Sequence, residues 1–186
     1  MLKIKIILGS TREGRFSEKV GPWIKSLVEE SGVTPILLDL RDFPMPFLND
    51  SVSPAHIEGA YKEDTVNTWA QEIAGADGFI VVTPEYNHGY SAVLKNALDN
   101  IFKEWNNKPI AFVAYGSMGG ARVVEQLRAV AIELLMVPIR NAVHIVAPWN
   151  LLNDDDTLKQ NALDPYTNSA KEMIDQLVEM TKTMRK

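Results

Sequence analysis

The segment Gly9-Ser-Thr-Arg-Glu-Gly-Arg-Phe-Ser17 gathers three hydroxyls, two guanidiniums and two glycines into one short stretch. Hydroxyls and free backbone N–H groups donate to an anion, and a helix start adds a favourable dipole. Glycines let the backbone approach the anion, and Arg12 and Arg15 can add charge-assisted bonds to phosphate oxygens. The spacing is near that of the ATP-binding loop G-x-x-x-x-G-K-[ST]. However, Arg15 stands where the lysine belongs and Phe16 where the magnesium-binding hydroxyl belongs. The dinucleotide fingerprint G-x-G-x-x-G is also broken, by Thr11. This composition points to a terminal phosphate bound without metal. The plainer alternative is an ordinary turn into a helix capped by Ser17.

Two further loops carry chemistry. Thr83-Pro-Glu-Tyr-Asn-His-Gly-Tyr-Ser91 packs two tyrosines, an amide, an imidazole and a glycine together. Its unpaired backbone donors suit the polar edge of a flat heterocycle, with Tyr86 along the rim. Gly116-Ser-Met-Gly-Gly-Ala-Arg122 is small enough for a bulky group to reach its backbone, and Ser117 can hydrogen-bond that group. His88 reads first as a solvated or local hydrogen bonder. His56 and His144 are isolated, so no histidine pair has metal-ligand spacing, and with no cysteine there is no thiol nucleophile, disulfide or Cys-ligated metal.

The elements that must position these loops follow from periodicity. Lys3–Leu8, Pro35–Leu40, Gly78–Thr83, Pro109–Tyr115 and Arg140–Val146 read as strands. Between them, apolar residues recur at helical spacing: Val20, Trp23, Ile24, Leu27 and Val28; a helix from about Ala55 to Gly75; Val93 through Trp105; Val123 through Leu135. A last helix buries Ala170, Ile174, Leu177, Val178 and Thr181. Trp23, Trp105 and Met136 read as core, Ala147–Thr167 as a polar loop, and Asp154–Asp156 as a solvated turn. Uniformly apolar strands alternating with helices predict a flavodoxin-like α/β fold. It is a doubly wound, five-stranded parallel sheet in the order 2-1-3-4-5, with helices on both faces. Ligands of such sheets bind beyond the carboxyl ends of strands 1 and 3, where the three loops should meet.

A length of 186 residues argues for one domain spanning 1–186. Hydrophobic residues make up 46% and charged residues 23%, with mean hydropathy −0.10, which are ordinary globular values. A net charge of −5 gives no general nucleic-acid or anionic-membrane surface. The apolar run in MLKIKIILGS is too short for a secretion signal or a membrane span, so a cytoplasmic location is expected.

At Gly9-Ser-Thr-Arg12, Pro84-Glu-Tyr-Asn87, the Ser91–Asp99 stretch SAVLKNALD and Gly116–Arg122, the chain resembles the NADPH-dependent FMN reductase family of flavodoxin-like quinone, azo and chromate reductases. The strand 2 extension from Asp39 to Pro46 fits the same resemblance, which spans roughly residues 1 to 145. It implies that Ser10, Arg12 and Ser17 hold the FMN phosphate. It also implies that Pro84, Glu85, Tyr86 and Asn87 line the isoalloxazine, and that Ser117 and Gly119 sit at its other edge. Many relatives have Ser and Asn where Arg15 and Ser17 stand, which leaves Arg15 open between phosphate ligand and solvated charge.

The implied activity is an FMN-dependent NAD(P)H oxidoreductase with no catalytic side chain and no metal. Hydride passes from NADPH or NADH to flavin N5, then onward to quinones, azo compounds, chromate or free flavin by ping-pong turnover. The alternative is a flavin-binding electron carrier or interaction module without NAD(P)H turnover. A P-loop nucleotide hydrolase is disfavoured by Arg15 and Phe16. The resemblance further implies a homodimer or dimer of dimers, with the Leu98–Trp105 helix face and the Pro-rich loop Phe43–Phe47 as candidate contacts.

Overall fold

In the computed structural model, which describes residues 1–185, each strand sends alternate side chains to opposite layers. The elements are β1 (Lys3–Leu8), α1 (Ser17–Glu30), β2 (Thr34–Asp39), α2 (Asp64–Ala74), β3 (Gly78–Pro84), α3 (Ala92–Asp99), β4 (Pro109–Gly116), α4 (Ala121–Glu133), β5 (Val137–Val146) and α5 (Thr167–Met184). Every pairing is parallel, in the order β2-β1-β3-β4-β5. Ile4, Ile6 and Leu8 of β1 pack with Ile80, Val82, Ala111 and Val113 against α1 and α5. Ile7, Phe79, Val81, Ile110 and Phe112 face the other way, against α2, α3 and α4. The sheet is covered on both faces, which is why its central strands read as continuous apolar runs.

Local fit explains how closely the first helix lies on the sheet. A Cβ on Gly21 would stand 2.8 Å from Leu8 Cδ2 and would push that side chain aside, so glycine lets the helix lie close on β1. Trp105 and Met136 are buried as expected, at 0% and 4% exposed, whereas Trp23 is only partly buried against the α1–α5 layer. Asp154–Asp156 forms a turn, within which Asp155 accepts from the Thr157 hydroxyl at 2.6 Å.

Two expected helices are shorter than their apolar spacing predicts. The helix placed from Ala55 begins at Asp64, and Pro54–His56 forms only a single 3-10 turn. The buried stripe Val66, Trp69, Ala70 and Ile73 does not extend upstream, and Gly59 there has φ +88°. Asn67 holds the chain just before the helix, accepting from the Tyr61 amide and donating to the Tyr61 carbonyl.

Helix α3 stops at Asp99, where the Asn100 side chain donates to the Asn96 carbonyl at 2.9 Å and to the Pro46 carbonyl at 3.4 Å. Leu98, Ile101 and Trp105 are then buried in the core. The Leu98–Trp105 segment is therefore not one continuous helix face: Leu98, Ile101 and Trp105 are spent in the core and Phe102 is partly buried against it.

Candidate active site

Three loops meet at the carboxyl edge of β1, β3 and β4. The Gly9 amide donates to the Val82 carbonyl at 2.8 Å, and the Glu85 amide donates to the Tyr115 carbonyl at 2.9 Å. Ser10 Oγ and the Tyr86 hydroxyl lie 2.9 Å apart, joining the first loop to the second. The Ser91 hydroxyl, which caps α3, donates back to the Gly9 carbonyl.

The second loop is a two-residue hairpin. Tyr86 and Gly89 exchange both backbone bonds at 2.9 Å, and Asn87 and His88 between them have φ +48° and +71°. That is the mirror-image turn a right-handed twist favours, although side chains adopt it at a cost. Contacts from α4 hold it in place. The Arg122 guanidinium and backbone amide both donate to the Glu85 carboxylate, whose side chain is 4% exposed. Arg122 Nη1 also lies 2.8 Å from His88 Nε2. Because the guanidinium can only donate, that ring nitrogen is the acceptor in this contact. Burial opposes the charge on Glu85, yet the Arg122 bonds and charge prevail and hold its carboxyl below the usual value.

The first loop is held from behind by two arginines. Arg15 is 4% exposed, so it is not a solvated charge. Its guanidinium forms a two-toothed pair with Asp39 at the end of β2, and it also donates to Glu18 and to the Ser10 carbonyl. Asp39 is partly buried, which raises its pKa, but Arg15 and Arg41 lower it further and the net shift is downward. Arg12 behaves differently. Its guanidinium lies 5.6 Å from the Tyr86 ring centroid, and among the described residues it pairs with no carboxylate.

The Arg12–Tyr86 stack stands between two cavities. One, of about 340 Å³, is lined by Arg12 to Phe16, Pro84, Glu85, Tyr86, Tyr115, Gly116, Pro148, Trp149 and Leu152. The other, of about 420 Å³, is lined by Ser10 to Arg12, Met45, Phe47, Tyr86, Ser91 to Val93 and Asn96. Of the residues singled out from sequence, Arg12, Arg15, Pro84, Glu85 and Tyr86 line the first cavity, while Ser10 lines the second. Ser17 is the first residue of α1 but caps nothing. Its hydroxyl is fully buried and, among the described residues, makes no well-formed hydrogen bond, although the Tyr115 phenol lies beside it. Asn87 lies at the exposed hairpin tip, and Ser117 and Gly119 follow Gly116 in the turn before α4.

Sequence reading missed Asp39, Arg41 and Trp149 as site residues. Trp149 is 59% exposed, on a 3-10 turn just past β5. The rule that ligands gather at carboxyl ends of strands could have marked it. Among the described residues, no group of three or more His, Asp or Glu could hold a metal ion.

The sequence profile of the NADPH-dependent FMN reductase family matches residues 2–150. The chain belongs to this family. It is 33% identical to an NAD(P)H-dependent FMN reductase of Schizosaccharomyces pombe, over 92% of this chain and 83% of that protein. It is 30% identical to a quinone reductase of Escherichia coli, over 72% of this chain and 71% of that one. The solved structure of the NAD(P)H:(acceptor) oxidoreductase FerB from Paracoccus denitrificans has the same fold. Its TM-score is 0.75 at 19% identity, covering 97% of this chain and 99% of that one. Among the described residues, no helix of this flavodoxin-like reductase is long and apolar enough to cross a membrane.

Proposed function

We propose that the cleft holds FMN and that the protein passes electrons from NADPH or NADH to quinone-type acceptors. Buried Ser17 carries this reading. Out of water, with the Tyr115 phenol beside it but no well-formed hydrogen bond, the hydroxyl leaves bonding capacity unused, at a cost of up to about 1–3 kcal/mol. A phosphate at the start of α1 removes that cost. Around it, among the described residues, no backbone carbonyl accepts from the amides of residues 13–17. Gly14 there has φ +63°, suited to a run of amides converging on one anion. In this reading Ser10, Arg12 and Ser17 contact the phosphate, and Arg15 holds the loop from beneath.

Pro84, Glu85, Tyr86 and Asn87 border the flavin ring, with Ser117 and Gly119 at its far edge. Glu85 contributes backbone alone, since Arg122 occupies its carboxylate. Burial pushes the Tyr115 phenol up to about 12, so it stays neutral at neutral pH and meets the ligand without charge. Pro148, Trp149 and Leu152 form the apolar wall that excludes water. When bound, the flavin supplies two-electron chemistry, and the chain's own groups bind and orient it rather than exchange protons. A homodimer belongs to the same reading, because Phe47 at 76% and Met118 at 64% exposed stand on loops a second copy could cover.

The test is direct. The purified protein should be yellow, release FMN on denaturation, and oxidise NADPH in the presence of a quinone with parallel-line kinetics. Colourless protein that takes up no FMN refutes the reading. Flavin binding without NADPH turnover would instead make it an electron carrier.

A further inference from the structure

Arg41 lies in the 3-10 turn that follows β2 and reaches across to the loop after β1. Its Nε donates to the Thr11 carbonyl at 3.2 Å, one terminal nitrogen to the Arg12 carbonyl at 2.6 Å, and the other to Glu18 at 2.6 Å. Arg15 takes the neighbouring Ser10 carbonyl and shares the same Glu18 oxygen. Three consecutive carbonyls are thus occupied by guanidiniums, while among the described residues no backbone carbonyl accepts from the amides of residues 13–17. Both arginines are also matched in charge, by Asp39 and Glu18.

We propose that Arg41 is a positioning residue for the anion-binding loop: it fixes the Thr11 and Arg12 carbonyls so that the following amides stay unpaired and ready for a phosphate. The physical reason is competition. A glycine-containing loop left free can turn its carbonyls onto its own amides, and the donors are then spent before a ligand arrives. Holding the carbonyls from outside removes that alternative and lowers the cost of ordering the loop on binding. Arg41 touches the ligand through no atom in this role, and its charge is already balanced by Glu18. Geometry is what it contributes, not field. A lysine has a single terminal nitrogen and cannot span two carbonyls and a carboxylate in one plane.

The inference rests on the phosphate reading of the loop, so the experiment measures FMN and riboflavin side by side. Apo-protein would be titrated with each flavin by fluorescence quenching, in the wild type, Arg41→Ala, Arg41→Lys and Arg41→Gln. The expected result is a wild type that prefers FMN. Arg41→Ala and Arg41→Lys should both lose about tenfold in FMN affinity and leave riboflavin unchanged. Full FMN preference in Arg41→Lys overturns the role, because charge alone would then suffice. An unaltered FMN-to-riboflavin ratio in Arg41→Ala overturns it too. If Arg41→Ala loses both flavins, Arg41→Gln decides. A selective FMN loss there supports the role, and an equal loss of both flavins overturns it. A wild type that binds the two flavins equally overturns the phosphate site itself, and this role with it.

Discussion

Replacing Arg122 by methionine strands the Glu85 carboxylate next to the cleft. That side chain is 4% exposed and takes hydrogen bonds from the Arg122 guanidinium and the Arg122 amide. Breaking a buried ion pair from one side costs about 3–5 kcal/mol. The backbone amide survives the substitution, however, and a helix start returns up to about 2 kcal/mol to a partly buried carboxylate. Because the guanidinium is 37% exposed, water also reaches the gap it leaves. The expected loss is therefore about 2–3 kcal/mol. For a chain of this length that lowers Tm by about 4–12 °C.

The pH dependence gives the sharper check. In the wild type the pair holds Glu85 below its ordinary 4.5. Its stabilisation is complete above that value and is lost as the pH falls through the lower folded one. In Arg122→Met the sign reverses. Burial without a partner raises the Glu85 carboxyl, the folded chain takes up the proton first, and the deficit narrows as the pH falls. Urea unfolding at about pH 7.5 and about pH 5 would measure it. Adding Glu85→Gln to Arg122→Met should recover much of the loss, since the stranded charge is gone. A deficit under about 0.5 kcal/mol at neutral pH, or one of equal size at both pH values, refutes the reasoning.

Arg12→Ala should weaken FMN binding by about 1.5–3 kcal/mol and leave riboflavin affinity unchanged in the same titration. Equal losses for the two flavins would remove Arg12 from the phosphate. Gly120→Ala should lower the melting temperature, because its Cβ would lie 2.6 Å from Ala114 Cβ at φ +70°. The strain amounts to about 1–3 kcal/mol, and an unchanged melt contradicts it. Burial lowers the Lys108 ammonium to about 8, while its Nζ donates to the Ile73 and Ala74 carbonyls at the end of α2. Between 8 and its ordinary 10.5 the unfolded chain keeps a proton that the folded chain has released. Wild-type stability relative to Lys108→Met should therefore rise with pH across that window. A flat difference in urea unfolding would sink this assignment.

The strands and their order were legible because burial on both faces writes itself as unbroken apolar runs, as in Gly78–Pro84. The ends of α2 and α3 were not. Trp105 and Ile101 keep helical spacing although α3 has already stopped at Asp99, because a turn can bury the same residues. At the candidate site, the topology rule anticipated that the loops of Ser10, Arg12 and Tyr86 meet, and the three side chains do lie together. Arg15 could not be resolved, because its partner Asp39 is on another strand and only the β1–β2 pairing makes them neighbours. Arg41 and Trp149 carry no local motif. Both act from the ends of other strands, where a single sequence offers only proximity to the sheet edge as a clue.

In a chain of net charge −5, the proposed anion site depends on how the charges around the cleft are matched. Arg15, Arg41 and Arg122 all lie near the ligand loops, but Asp39, Glu18 and Glu85 neutralise them. They act as struts, each fixing backbone or turn geometry, and contribute little net field. In the proposed phosphate site, what remains is a set of amide dipoles, a buried hydroxyl and Arg12, which pairs with no carboxylate among the described residues. Fixed dipoles need no reorganisation when the ligand arrives, whereas a free arginine cluster would repel itself in the apo-protein. Arg12 lies on an exposed loop over Tyr86 and between the two cavities and, among the described residues, pairs with no carboxylate, which leaves it free to follow a ligand. On the FMN reading, the local arrangement of donors, rather than overall charge, therefore decides what this sheet edge binds.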